Sequence, residues 1–278
     1  MVVACAALMT TAYSAGVVEP QKEGWPLSLE EKAYVMTPVD RRRPTNPEQW
    51  PVTPVAGSFG PQYNADMWLS WHSKLVDEVT QNEGPVDILL VGDSITQRWG
   101  SPIKQKPLNE IWQKYFGQYK TINLGLGGDR TSFVLWRLNH SALENIQPRL
   151  VILLIGVNNM HQIKDTGAVA IAKGMQACVE NLRGKCPDAH ILALTVFPAD
   201  YTPKVLTDIQ CVNDEFLKLR VDRDPLVTVL DLHNEFLRPD GTVNAALYCD
   251  DRLHLASEAG YEFYAQKLKP VVDKLLAP

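Results

Sequence analysis

The sequence predicts a layered α/β fold in which helices cover both faces of a parallel β-sheet of about five strands. Several short runs are apolar at every position, the clearest being VILLI at 151–155, and this pattern is typical of strands buried on both faces. Segments with helical periodicity separate these runs, and strands that alternate with helices usually form parallel sheets. We therefore expect a three-layer, doubly wound sheet with flavodoxin-like strand order, preceded by a proline-rich N-terminal extension.

The elements follow one another along the chain in a regular alternation. A first helix is predicted from Asp66 to Thr80, with its apolar face formed by Met67, Trp68, Trp71, Leu75 and Val79. The predicted strands lie within 86–92, 119–125, 150–156, 190–197 and 226–232. The helices between and after them are predicted at 103–116, 131–143, 166–184, 207–222 and 256–275.

The N-terminal quarter of the chain differs from this pattern. Residues 1–16 are apolar and end in small residues, like the end of a secretion signal, although the positively charged start is missing. Residues 17–65 form a proline-rich arm, and residues 66–278 carry the predicted domain. We expect a secreted or periplasmic protein, the alternative being a cytoplasmic one whose first residues are disordered or clipped.

Composition excludes several classes of function. The net charge of −5 and the absence of a basic face argue against nucleic-acid binding. No apolar run is long enough to span a membrane, and no Cys/His spacing predicts a zinc site. Cys178, Cys186, Cys211 and Cys249 would form one or two disulfides in an exported chain or remain buried thiols in a cytosolic one.

Ser94 is the first candidate for chemistry, because it follows the first strand in the sequence VGDSIT. Doubly wound sheets bind ligands outside the carboxyl ends of their strands, so polar residues at these ends are expected to form the site. Ser94 could be a nucleophile at the start of the next helix, or it could simply cap that helix, as Asp93 also could. The sequence GDS alone favours the cap.

A base for Ser94 is available near the end of the chain. His254 precedes the last predicted helix, and Asp251 lies three residues before it, so both side chains can face the same side. Asp251 would then orient the imidazole and stabilise its charged form. By contrast, His72 on the first helix and His190 at a strand start are expected to be structural.

Donors for a developing oxyanion follow the second and third strands. The N–H of Gly128, the side-chain amide of Asn158 and the N–H of Ser94 itself could together stabilise negative charge on a carbonyl oxygen. Each residue also has an ordinary structural explanation in a turn or a cap. Their occurrence at successive strand ends favours the catalytic interpretation.

These four blocks, VGDSIT, NLGLGGDRT, IGVNN and DDRLHL, resemble those of the SGNH hydrolases, also called GDSL-type esterases. They are most similar to the branch that contains the catalytic α subunits of platelet-activating-factor acetylhydrolase. The resemblance implies Ser94 as nucleophile, Gly128 and Asn158 as oxyanion donors, and Asp251 and His254 as orienter and base. It implies no metal and no cofactor.

The resemblance also implies hydrolysis of short acyl esters, acetyl esters above all. Because exported relatives resemble carbohydrate deacetylases, we expect a carbohydrate O-acetylesterase. A lipid-type acetylhydrolase, a lipase or a thioesterase on the same site remains an alternative, as does a non-catalytic binding or assembly module. The sequence does not set the oligomeric state, and a homodimer is compatible with it.

Five further residues are candidates for contact with the substrate. Asp93, Asp129, Arg130, Asn159 and His161 all neighbour the four blocks. Arg130 could steer an anionic or sugar substrate, or it could pair with an acidic residue such as Asp129, and we favour the pairing.

Overall fold

The computed structural model describes residues 44–57, 65–104 and 109–277. Within them, five parallel strands form one sheet in the order β2-β1-β3-β4-β5. The strands are β1 (Ile88–Gly92), β2 (Thr121–Asn123), β3 (Leu150–Leu154), β4 (His190–Leu194) and β5 (Val227–Leu230). Each lies inside a predicted run and the order is flavodoxin-like, so the predicted fold is confirmed. The predicted signal segment 1–16 and much of the arm 17–65 lie outside the described residues.

Helices flank the strands at the predicted places, with different ends, and a short helix that was not predicted, Ser94–Gln97, follows β1. They are α1 (Ala65–Thr80), α2 (Ser94–Gln97), α3 (Glu110–Phe116), α4 (Thr131–Asn139), α5 (Ile163–Lys185), α6 (Val205–Lys218) and α7 (Ala259–Leu275). The helix predicted at 103–116 starts only at Glu110, because the side chain of Asn109 caps it by accepting from the Trp112 N–H. The prediction of one continuous helix at 166–184 missed a break at Gly167, whose φ is 76°.

Alternating strand residues build two separate cores, one on each face of the sheet. Leu89 and Val91 pack with α1, α4, α5 and α6, whereas Ile88 and Leu90 pack with α3 and α7. Successive side chains of a strand point to opposite faces, so an uninterrupted apolar run supplies both cores at once. The result is the three-layer arrangement predicted from the sequence.

The buried face of α1 differs from the predicted one. Trp68, Leu75 and Val79 are buried as expected, but Met67 is 38% exposed. The fully buried His72 belongs to the face instead, with its ring stacked on Trp68 and its Nε2 3.0 Å from the carbonyl of His140. Burial lowers the pKa of His72 well below its ordinary value, so a neutral ring packs as an aromatic side chain.

The four cysteines that the structure describes are free thiols. Cys178 and Cys186 are buried, and desolvation raises the pKa of Cys186 to about 11. In the described part of the chain, no helix is both long and apolar enough to cross a membrane. Nor does that part hold a group of three or more His, Cys, Asp or Glu side chains arranged to bind a metal ion.

Candidate active site

The candidate residues lie at one edge of the sheet, because parallel strands direct all their carboxyl ends the same way. β1 and β3 run in register up to Gly92 and Leu154, and Ser94 and Asn158 follow these ends closely. The turn after β2 carries Gly128. One pocket of about 550 Å³ is lined by Ser94, Gly128, Asn158 and His254 together.

Ser94 opens the four-residue helix α2 immediately after β1. Asp93 caps this helix, its Oδ1 accepting from the Ile95 N–H at 3.0 Å. A Cβ at Gly92 would collide with the Thr96 hydroxyl, because the chain turns sharply after β1. It would also collide with the Leu154 carbonyl of the neighbouring strand β3. Asp93 therefore fills the capping position, and Ser94 is left with a partly exposed hydroxyl at the helix start.

The Ser94 hydroxyl meets His254, which is 160 residues further along the chain. Ser94 Oγ lies 2.8 Å from His254 Nε2, and the other ring nitrogen, Nδ1, lies 2.6 Å from Asp251 Oδ2. The three side chains form one continuous line of hydrogen bonds. Such a line lets the imidazole accept the serine proton while the carboxylate holds the ring in the required tautomer.

A tight loop holds Asp251 and His254 in place. The Cys249 N–H donates to the His254 carbonyl at 2.7 Å, and Arg252 adopts the left-handed conformation with a φ of 55°. Asp251 Oδ1 accepts from the N–H groups of Leu253 and His254 at 3.0 and 2.9 Å. The carboxylate is thereby fixed at both oxygens.

These contacts keep Asp251 ionised. Desolvation acts to raise its pKa, but the hydrogen bonds from the His254 ring and from the two backbone N–H groups outweigh it and lower the pKa to about 2. Asp251 therefore remains a carboxylate at neutral pH. It can stabilise a positive charge that appears on the imidazole during reaction.

Three candidate oxyanion donors belong to residues that line the pocket: Ser94, Gly128 and Asn158. Gly128 has a φ of 79°, which turns the backbone after β2 in a way that other residues rarely adopt. Among the described residues, none accepts a hydrogen bond from the N–H of Gly128 or of Ser94. The Asn158 amide gives one hydrogen to the Asp129 carbonyl at 3.0 Å and keeps a second one available.

Three of the five predicted substrate contacts are buried behind the pocket. Asp93, Asp129 and Asn159 are at most 1% exposed and do not line it. Asp129 accepts from Arg137 Nε at 2.6 Å and from the Trp68 indole at 3.1 Å. Asp129 thus pairs with Arg137, and its favoured pairing with Arg130 stays a prediction. The carboxylates and amides at these strand ends brace the loops that carry the donors.

Arg130 and His161 lie outside the lining of the pocket as well. The Arg130 guanidinium sits 5.7 Å from the centre of the Phe133 ring. The His161 ring is 5.9 Å from that of Tyr201, and desolvation, followed by the charge of Arg130, lowers the pKa of His161. Contact of these two side chains with a substrate stays a prediction.

Sequence reasoning missed much of the pocket wall. The additional polar side chains come from four parts of the chain: Gln97, Arg98, Ser101, Asn109 and Ser257. Trp71, which was assigned to the buried face of α1, also lines the pocket and is only partly buried. Gln97 and Arg98 lie three and four residues after Ser94, at the end of α2 and just beyond it, and this spacing is the one signal that could have identified them.

The chain is similar to known proteins in both its sequence and its fold. Residues 90–263 match the model of the GDSL-like lipase/acylhydrolase family. Human platelet-activating factor acetylhydrolase IB subunit alpha2 is 31% identical over 214 residues, which cover 76% of this chain and 86% of that protein.

Solved structures share the fold. A putative platelet activating factor from Streptococcus pneumonia superimposes with a TM-score of 0.59 at 21% identity, covering 73% of this chain and 92% of that one. The acetyl xylan esterase AlAXEase gives a TM-score of 0.53 at 24% identity, with coverages of 67% and 100%. At such identities these two likenesses concern the fold alone.

Proposed function

Because the chain belongs to the GDSL-like lipase/acylhydrolase family, we propose that it removes acetyl groups from carbohydrate hydroxyls through an acyl-enzyme on Ser94. Membership makes the chain a carboxylic ester hydrolase. The observation that carries the assignment of roles is the unbroken hydrogen-bonded line from Asp251 through His254 to Ser94, at 2.6 and 2.8 Å.

The reaction proceeds in two similar halves. His254 Nε2 takes the proton of the Ser94 hydroxyl while Oγ attacks the acyl carbonyl carbon, and the carbonyl π electrons move onto oxygen. The resulting oxyanion accepts hydrogen bonds from the N–H groups of Ser94 and Gly128 and from the Asn158 amide. When the carbonyl re-forms, the alcohol leaves with the proton from His254. Water, deprotonated by His254, then releases acetate and regenerates Ser94.

The polarity of the pocket supports a carbohydrate as the alcohol part. Amide, guanidinium and hydroxyl groups from Gln97, Arg98, Asn109 and Ser257 surround the nucleophile, and these groups suit sugar hydroxyls. The Trp71 indole offers a flat apolar surface for a sugar ring. A secreted or periplasmic location is part of this proposal, because residues 1–16 resemble the end of a secretion signal.

The same pocket supports a short acyl group. Among the residues that the structure describes, Leu253 is the one aliphatic side chain that lines it, although Trp71 and Tyr261 add aromatic surface. A long acyl chain would therefore cover polar groups without giving them hydrogen-bond partners, and this costs binding free energy. This argues against a lipase or long-chain thioesterase.

A lipid-type acetylhydrolase is the second candidate. It is favoured by the 31% identity to relatives named platelet-activating factor acetylhydrolase, and the exposed Arg98 could bind a phosphate as well as a sugar. Both candidates use the same nucleophile and release acetate. They differ in the alcohol.

A substrate screen distinguishes the candidates. Acetate release is measured from acetylated xylan, from acetylated monosaccharides and from platelet-activating factor, with p-nitrophenyl esters from acetyl to decanoyl as a chain-length series. We expect kcat/KM for an acetylated carbohydrate to exceed that for platelet-activating factor at least about tenfold, with activity falling steeply beyond short acyl chains. Preference for platelet-activating factor would instead establish the lipid candidate.

Two variants complete this experiment. Ser94→Ala should lower kcat for p-nitrophenyl acetate by several orders of magnitude while circular dichroism remains unchanged. Arg98→Ala should raise KM for the preferred acetyl ester but leave p-nitrophenyl acetate almost unaffected. Arg238→Ala, an exposed arginine that does not line the pocket, is the matched control. Equal activity of Ser94→Ala and the parent would refute the assignment of the nucleophile.

A further inference from the structure

The described part of the N-terminal arm, residues 44–57, is held against the loops that carry the oxyanion donors. We call it the arm segment. The Pro51 carbonyl accepts from the Thr131 hydroxyl at 2.7 Å, and the Val55 N–H donates to the Ser132 carbonyl at 3.1 Å. Pro51 and Val55 are buried. The arm segment therefore packs on the first turn of α4, directly after the Gly128 turn.

Thr131 connects this contact to the other donor loop. Its hydroxyl accepts from Asn159 Nδ2 at 3.1 Å, and its N–H donates to Asn159 Oδ1 at the same distance. Both residues are fully buried. Asn159 is the chain neighbour of Asn158, so these two hydrogen bonds hold the loop that carries the Asn158 amide.

The direction of these hydrogen bonds gives the Pro51 carbonyl a specific role. A threonine hydroxyl has a single hydrogen to donate and can also accept. Since Thr131 donates this hydrogen to Pro51, its lone pairs are turned towards Asn159 Nδ2. Without the Pro51 acceptor the hydroxyl would be free to rotate, and Asn159 would lose a fixed partner.

We propose that the arm segment positions the oxyanion donor Asn158, through the hydrogen bonds from Pro51 to Thr131 and from Thr131 to Asn159. This role rests on the proposed function, because it concerns the geometry of the same oxyanion site. Thr131, Asn159 and the arm segment are positioning elements and do not touch the substrate. Their effect appears in kcat, since the oxyanion forms only during the chemical step.

Two glycines of α5 offer a matched test. A Cβ at Gly174 would lie 2.6 Å from Thr131 Oγ1 and 2.7 Å from the Pro51 carbonyl oxygen, too close for either to stay in place. A Cβ at Gly184 would have nothing within 4 Å. Gly174→Ala should therefore disrupt the hydrogen bond between Pro51 and Thr131. Gly184→Ala gives the same kind of gain in helix propensity without this steric conflict.

Substitutions of Thr131 give a second, independent test. Thr131→Val keeps the shape of the side chain but removes the hydroxyl, and Thr131→Ser restores it. With p-nitrophenyl acetate we expect kcat to fall about 10- to 100-fold in Gly174→Ala and Thr131→Val, with KM within about twofold of the parent. Gly184→Ala and Thr131→Ser should stay within about threefold of the parent kcat.

A double-mutant cycle separates positioning from a general loss of stability. If Thr131 acts through Asn158, then Thr131→Val should lower kcat much less in an Asn158→Ala background than in the parent. Rates are normalised to sites titrated with a fluorophosphonate and are measured well below the Tm of every variant. A partly unfolded variant would show fewer titratable active sites, whereas the kcat of each remaining site would be unchanged.

The outcomes distinguish this inference from the function on which it rests. If Ser94→Ala hydrolyses the ester as fast as the parent does, the proposed function is overturned, and the inference with it. If hydrolysis depends on Ser94 but kcat is unchanged in Gly174→Ala and in Thr131→Val, only the inference is overturned. An equal loss of kcat from Thr131→Val in the parent and in Asn158→Ala also overturns it.

Discussion

The buried carboxyl group of Asp93 makes the stability of this protein depend on pH. Asp93 is 1% exposed, and only its Oδ1 has a hydrogen-bond donor among the described residues, the Ile95 N–H. Burial, with a smaller contribution from the nearby charge of Asp129, raises the pKa of Asp93 from 3.8 to about 7. We predict that Asp93→Asn relieves an electrostatic penalty that exists only when Asp93 is ionised.

The sign and size of the effect follow from proton linkage. Between pH 3.8 and about 7 the folded chain holds a proton on Asp93 that the unfolded chain has released. The contribution of Asp93 to the stability of the parent therefore falls as pH rises through this window, by about 1.4 kcal/mol per pH unit, and it levels off above the window. An asparagine caps the helix equally well and does not titrate. Between pH 5 and pH 8, the free energy of unfolding of Asp93→Asn should increase by about 3 kcal/mol relative to that of the parent.

Urea unfolding at pH 5, 6, 7 and 8 measures this difference. The matched control is Asp77→Asn, which changes an exposed carboxylate on α1 and should follow the parent at every pH. A difference between Asp93→Asn and the parent that is constant across this range would refute the reasoning. It would mean that Asp93 has the same protonation in the folded and unfolded states.

Three further substitutions test the site and its support. Asp251→Asn should lower kcat for p-nitrophenyl acetate by about 10³-fold, because a neutral amide cannot stabilise the imidazolium, and unchanged steady-state kinetics would contradict the role given to Asp251. Asn158→Ala should lower kcat by about 10²–10³-fold with little change in KM; a rise in KM alone would indicate a contact with the ground state. Arg137→Met should destabilise the fold by about 3–5 kcal/mol in urea unfolding, because it leaves the buried Asp129 unpaired, and a loss below about 1 kcal/mol would show that Asp129 is readily accommodated as a neutral acid.

The architecture could be predicted because it depends on local patterns. The run from Ile88 to Val91 is apolar at each position, and a strand with this composition has to be covered on both sides. The position of Ser94, Gly128 and Asn158 at one edge then follows from the geometry of parallel strands. Asp251 and His254 could be paired because they are three residues apart.

The roles of the neighbouring polar residues could not be predicted in the same way. Asp129 and Asn159 follow strands just as Gly128 and Asn158 do, yet they point away from the pocket and are fully buried. Which of two adjacent residues lines the pocket depends on the turn, here one with a φ of 79° at Gly128 and one with a φ of 132° at Gly156. A sequence pattern does not specify such angles.

The pocket wall shows the same limit. Trp71 and Asn109 belong to segments that the sequence assigned to a core helix and to a longer helix before β2, and neither carries a local sign of a binding role. They line the same pocket as Ser94 because α1 packs against residues 102–104, and because Asn109 hydrogen-bonds to the backbone of Trp99 and Arg98 after α2. Contacts of this kind depend on the docking of whole elements.

The sequence by itself determined the fold, the family and the set of candidate catalytic residues. Only the tertiary structure decided which polar groups line the pocket, that Arg137 pairs with Asp129, and that the arm segment reaches Asn159 through Thr131. The physical reason is the range of the interactions. Apolar periodicity and strand-end positions act within a few residues, whereas these hydrogen bonds and ion pairs depend on the orientation of side chains after all the layers have packed.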